Sequence, residues 1–90
     1  MHDDPDAAAP ATLRIAVFAG MAEIVGGRHL DLPWTGGTVA DVRRLVSARH
    51  PAAAALIARS AVAVGSGYVN DATVLAASDD VAIIPPVSGG

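Results

Sequence analysis

The sequence closes on Pro85-Pro86-Val87-Ser88-Gly89-Gly90, and the reactive group such a stretch presents is the α-carboxylate of Gly90. Neither proline can donate to a β ladder and both hold φ near about -65°, so a strand that runs into them stops and the residues beyond must leave the body. From Pro86 to Gly90 an extended chain reaches about 16 Å, against an expected radius of gyration of about 12 Å for a domain of this size. That is enough to enter another protein. Gly89 and Gly90 lack a Cβ, so they can thread a channel too narrow for any side chain and adopt whatever φ and ψ it asks.

Other residues with chemical potential lack the company that chemistry needs. His2, His29 and His50 have no metal-ligand spacing among themselves or to paired carboxylates, so no metal site is expected. Gly36-Gly37-Thr38 could offer backbone N–H groups to an anion, but the chain has no lysine to complete a phosphate loop, and an ordinary helix-capping turn is the simpler reading. Gly65-Ser66-Gly67 has no histidine nearby to deprotonate Ser66, and is read as a turn. Asp79 and Asp80 are neighbours on a tight turn, point apart and stay solvated, so nothing would separate their pKa values for acid/base work. There is no cysteine, which removes disulfides, thiolate zinc sites and thiol nucleophiles together.

The elements that would carry the terminal segment are set by periodicity. Residues 1–11 hold three aspartates, two prolines and small alanines, and read as a flexible N-terminal tail. From Thr12 to Phe18, Leu13, Ile15 and Val17 alternate with Thr12, Arg14 and Ala16, the pattern of a half-buried strand. Gly20 to Gly27 allows one helical turn or a wide loop. Leu30 and Leu32 then face one side and His29 and Asp31 the other, giving a hairpin-like pair. Thr38 can cap a helix with Asp41 as its capping-box partner, and Val39, Val42, Leu45 and Val46 recur at helical spacing, which leaves Arg43, Arg44 and Ser47 toward water. Pro51 ends that helix at Arg49 or His50, and 52–58 makes a second short helical piece. Ala61 to Val64 is a short strand, Tyr68 and Val69 extend briefly, and Val81 to Ile84 reads as a central strand. The expected architecture is α+β: a mixed sheet of four to five strands covered by one main helix, in β-grasp (ubiquitin-like) order, over residues 12–86. Residues 87–90 are then a flexible C-terminal tail. A ferredoxin-like fold would need two full crossover helices, and only one stretch is long enough.

Ninety residues with 52% hydrophobic composition and a net charge of -3 define one globular domain rather than a disordered chain. The six basic residues, all arginine, are scattered among nine acids, which leaves no basic stripe for nucleic acid. No apolar run approaches the roughly 20 residues that span a bilayer, and the acidic start does not resemble a signal or transit peptide. A cytoplasmic protein with neither membrane nor nucleic-acid partners is expected.

The terminal motif resembles that of the small, sulfur-carrying subunit of molybdopterin synthase, a ubiquitin-like β-grasp family. The resemblance extends over Phe18-Ala19 with Glu23 and Gly26, the capped helix at Thr38, and Asp79-Asp80-Val81-Ala82 leading into the last strand. The sequence departs from the family at Ala22, where arginine is frequent, at Gly65, where asparagine is common, and at Ser78-Asp79-Asp80. The resemblance implies a carrier that is not an enzyme by itself and binds no permanent cofactor. An adenylyltransferase would activate Gly90 with ATP, a sulfur donor would convert it to a thiocarboxylate, and the large catalytic subunit would use that sulfur on cyclic pyranopterin monophosphate. It further implies that Gly89 and Gly90 form the reactive end, with Phe18, Tyr68, Ile84, Pro85, Pro86, Val87 and Ser88 touching partners. In β-grasp order Phe18, Tyr68 and Ile84 should converge on an exposed apolar patch. Two other readings stand beside this one: a thiocarboxylate carrier for thiazole or cysteine synthesis, and a ubiquitin-like interaction module or modifier that forms an amide with a lysine.

Overall fold

Leu13, Ile15 and Val17 are fully buried while their even-numbered neighbours are not, and this alternation makes β1 (Thr12–Val17) a strand with one core face. The computed structural model describes residues 11–86. The remaining elements are α1 (Ala19–Val25), β2 (His29–Pro33), β3 (Gly37–Thr38), α2 (Val39–Arg49), a 3-10 turn over Pro51–Ala53, α3 (Ala54–Arg59), β4 (Ala61–Val64), β5 (Gly67–Val69), β6 (Val74–Leu75) and β7 (Val81–Ile84). Five strands form a mixed sheet in the order β2-β1-β7-β4-β5, and β3 pairs with β6 in a separate two-stranded ladder. β7 runs parallel to β1 and antiparallel to β4, so the last strand is the middle one. This is the α+β, β-grasp arrangement expected from the sequence.

Four details differ from expectation. Gly20 to Gly27 is more than one turn: α1 has 7 residues and ends where Gly26, at φ 85°, donates its N–H to Ala22 O. That left-handed position suits a residue without Cβ. The β3–β6 ladder has no signature in the sequence, since two residues a side are too short to show a period. Leu45, grouped by its spacing with the apolar stripe of α2, is exposed, while Val39, Val42 and Val46 are buried. Ser47 and Arg43 are half-buried rather than turned to water.

Arg43 ties three separate parts of the chain together. Its Nε donates to Asp71 Oδ1 at 2.9 Å, and its Nη1 donates to the carbonyls of Ile57 and Ser60 at 2.6 and 2.8 Å. It therefore satisfies the open carbonyl end of α3 with a cation, the favourable sign for a helix C-terminus, and pins the turn after β5 to α2. The start of α2 is held by a full capping box. The backbone N–H of Thr38 donates to Asp41 Oδ2 at 2.8 Å, and Asp41 N–H donates to Thr38 Oγ1 at 3.3 Å. A Cβ at Gly37 would fall 2.6 Å from Asp41 Oδ2, so the box requires glycine there.

The Thr38 backbone N–H, and after it the Arg44 guanidinium, hold the Asp41 carboxyl below its ordinary value of 3.8. A carboxyl depressed on folding stabilises above its unfolded pKa, and that contribution fades as pH falls through the folded value. Thr38→Ala should cost about 1 kcal/mol in urea unfolding. The difference in urea midpoint between the parent and Asp41→Ala should be full at neutral pH, narrow once pH drops below 3.8, and be smallest in strong acid. A difference that stays constant into acid would show that Asp41 works through packing and not through its charge.

Candidate functional site

The sheet has two unlike faces. One carries Leu13, Ile15, Val17, Leu30, Leu32, Val62, Val81 and Ile83 into the core beneath the helices. The register fixes what stands on the other. His29 pairs with Ala16, Ala16 with Ala82, Ala82 with Ala63 and Ala63 with Tyr68, so one row across all five strands reads His-Ala-Ala-Ala-Tyr. The next row toward the end of β7 holds Ile84 opposite Ala61. Phe18 follows Val17, the partner of Ile83, and keeps extended geometry at φ -138°, ψ 159°, which brings it beside Ile84 on this same face.

Phe18 is 48% exposed and Tyr68 72% exposed, while Ile84 is half-buried. Phe18 and Ile84 are thus adjacent. Tyr68 shares their face but stands two strands from β7, about 10 Å away at normal strand spacing, across a floor of alanine. The aromatic residues are walls of a shallow apolar surface rather than a single cluster. Sequence reasoning misses Ala16, Ala61, Ala63 and Ala82, because alanine gives no signal of which face it occupies and the row exists only through register. Pro85 is half-buried and Pro86 exposed at the end of β7, beside Phe18 and Ile84. Val87, Ser88, Gly89 and Gly90 lie outside the described residues. No group of three or more His, Cys, Asp or Glu among the described residues could hold a metal ion, and no helix among them is long and apolar enough to cross a membrane.

The other candidates resolve into local structure. Gly36-Gly37-Thr38 is the entry to the capping box. Gly65, at φ 61°, turns the chain between β4 and β5. Asp79 Oδ2 accepts from Ala76 N–H, and its own N–H donates back to Ala76 O, which closes the turn before β7. His50 ends α2, donating its N–H to Val46 O.

A helical face packed on a five-stranded mixed sheet, with the chain's last strand at its centre, defines a ubiquitin-like β-grasp protein. The model of the ThiS family matches residues 15–90, and the chain belongs to that family of small ubiquitin-like sulfur carriers. Among solved structures it is similar to SAMP1 from Haloferax volcanii, at 26% identity and a TM-score of 0.74 over 88% of this chain and 99% of that one. It is also similar to the small archaeal modifier protein 1 of Methanosarcina acetivorans, at 24% identity and a TM-score of 0.74, covering 91% of this chain and 99% of that one. A putative molybdopterin converting factor, subunit 1, from Pyrococcus furiosus has the same fold at 22% identity and a TM-score of 0.74, covering 86% of this chain and 99% of that one. No curated protein sequence gives a significant match. The chain is therefore a sulfur carrier or ubiquitin-like modifier; small carriers of the ThiS family are not catalytic themselves and typically pair with a catalytic partner subunit.

One backbone feature marks the exposed end of the face. Ala19, directly after Phe18, has φ 52°, the one positive φ outside glycine among the described residues. A residue with a Cβ is strained there, and the bend turns the chain from β1 into α1 while leaving Phe18 outside. Ala19→Gly should relieve the strain and raise stability by about 1 kcal/mol in urea unfolding. Ala19→Val should lower it by more. Equal stability of the three proteins would mean that residue 19 is not strained.

Proposed function

We propose that this chain is the sulfur-carrying small subunit of molybdopterin synthase, with Gly90 as the group that is activated. The observation that carries the reading is the Pro85-Pro86-Val87-Ser88-Gly89-Gly90 end, which succeeds the central strand of the sheet directly. A carboxylate is a poor acyl donor, so an adenylyltransferase first joins a Gly90 carboxylate oxygen to the α-phosphorus of ATP, and diphosphate leaves. A sulfide-level donor then attacks the mixed anhydride at its carbonyl carbon and AMP leaves, which yields the thiocarboxylate. Its sulfur is nucleophilic at neutral pH and attacks cyclic pyranopterin monophosphate on the large catalytic subunit. Hydrolysis of the resulting acyl link restores the Gly90 carboxylate. ATP is a substrate of the partner, and the carrier needs no bound cofactor.

The described residues contribute docking and aim. Phe18, Ile84 and Tyr68, with the alanine floor between them, form the apolar surface that partners cover. Pro85 and Pro86 restrict the root of the tail, so less entropy is lost when Val87 to Gly90 enters a channel. A second reading has one observation in its favour: the likeness to SAMP1 proteins, which reaches 26% identity. As a modifier, the activated Gly90 would pass to a lysine amine and form an amide instead of collecting sulfur.

Intact-mass measurement after incubation with the cognate adenylyltransferase, ATP and sulfide separates the two. An oxygen-for-sulfur exchange at Gly90, and then loss of the sulfur to the pterin when the large subunit is added, is the expected result. Lysine-linked conjugates without that exchange would favour the modifier. Deleting Gly90 should abolish thiocarboxylate formation while leaving the melting temperature unchanged, and full pterin sulfuration by the deletion variant would refute the proposal.

Ile84→Asp puts a charge in the middle of the apolar surface. It should weaken binding to the large subunit by roughly 2 kcal/mol or more, the scale of an interface hot spot, with a smaller loss of folding stability. Calorimetric titration and thermal unfolding of the same variant check this. An effect on unfolding alone would move Ile84 into the core.

A further inference from the structure

The apolar surface does not end at Phe18. Phe18 also lines an open cavity of about 310 Å³, to which Ile84 does not contribute. It is lined by Ala16 and Val17 on β1, by Phe18, by Ala19 and Ala22 on α1, and by Arg28 and His29 where β2 begins. The depth has a local origin. Three of the side chains that line the cavity are alanines, where larger ones would fill the space.

The rim has a charge that the fold leaves unused. Arg14 pairs with Asp31, Arg43 with Asp71 and Arg44 with Asp41, whereas Arg28, like Arg49 and Arg59, has no carboxylate within 4.0 Å among the described residues, and of these three only Arg28 lines the cavity. Arg28 is exposed, and so is His29. The Arg28 carbonyl accepts from Val17 N–H at 2.8 Å, so its backbone is fixed to the end of β1 while its side chain remains available. An apolar pit with a cation on its lining matches a complementary pair: an apolar side chain for the pit and an anion beside it.

We propose that this cavity is the specificity pocket of the docking surface, and that it receives a segment of a partner protein in which a bulky apolar side chain stands next to an aspartate or glutamate. The apolar side chain fills the space over Ala16, Ala19 and Ala22, and the carboxylate pairs with the Arg28 guanidinium. This rests on the reading of Phe18 and Ile84 as a docking surface, with which the cavity is continuous through the Phe18 ring. A fork-shaped guanidinium at the rim orients a carboxylate, and the contact chooses among partners more than it adds affinity. The apolar strip supplies adhesion, and the pocket decides which protein adheres.

Two substitutions test the two halves separately. Arg28→Glu reverses the rim, and Ala16→Leu fills the pit from the open face of the sheet. Binding to the adenylyltransferase and to the large subunit is measured by calorimetric titration, and thermal unfolding of each variant is recorded alongside. Each variant should bind at least one partner tenfold or more weakly, with Arg28→Lys close to the parent and the Arg28→Glu deficit shrinking as salt rises. Unchanged affinity of both variants for both partners would overturn the pocket, while wild-type protein that is still thiocarboxylated would leave the carrier reading intact. Failure of the wild-type protein to be adenylated at all would strike the carrier reading instead. AMP added alone is the further arm: if it shifts the amide NMR signals of Ala16, Ala19 and Arg28, the cavity is a nucleotide site and the proposal falls.

Discussion

The constraint on which this structure depends is that its last strand is also its central one. β7 is hydrogen-bonded to β1 on one side and β4 on the other, and its Val81 and Ile83 side chains are buried. A strand paired on both edges has no freedom to twist or slide, because a slip of one residue would turn Val81 and Ile83 outward and Ala82 and Ile84 inward. The Pro85-Pro86 step therefore departs from the most firmly held backbone in the domain. The position and direction of Pro85 are set by the same hydrogen bonds that hold the sheet together.

That arrangement divides the sheet's labour by parity. Odd-numbered residues of β1 and β7 build the core, and even-numbered ones build the open face, so stability and, on the proposed function, recognition are written on alternate residues of the same strands. The helices complete only the first of these tasks. α2 is anchored at its start by Thr38 and Asp41, and Arg43 in its second turn reaches α3 and the turn after β5, which steadies the β4–β5 hairpin that carries Tyr68. The open face is left to alanines, and its few large side chains stand where a partner can reach them.

Much of this is legible in the sequence. Alternation in β1, β2 and β7 identifies the sheet, the Thr38–Asp41 pair locates the helix start, and Pro85-Pro86 locates the end of the last ladder. The features that escape a reading of the sequence depend on tertiary contact. Arg43 reads as a solvated helix residue because its acceptors are 14 to 28 residues away in sequence. The β3–β6 ladder is too short to have a period, and α1 begins at a strained alanine that no propensity anticipates. The same holds at the surface. Residue type and strand order put Phe18, Tyr68 and Ile84 in one patch, but only register shows that two are adjacent and the third is held apart by alanine, and only the fold brings Ala22 and Arg28 to one cavity.

Trp34 shows how far apart the two ends of the sheet are. It is buried, its Nε1–H donates to Leu75 O at 2.9 Å, and its backbone N–H donates to Ala11 O, so it closes the end of β1 opposite Phe18. At normal strand rise that is about 23 Å from the Phe18 end of β1. The protein has one tryptophan, and its indole emission reports on whether the core is intact while staying blind to what arrives at the open face. Tyr68, the single tyrosine, has the opposite placement. The molecule thus contains two optical channels with separate meanings, one for folding and one for contact, and the two events can be followed independently in unlabelled protein.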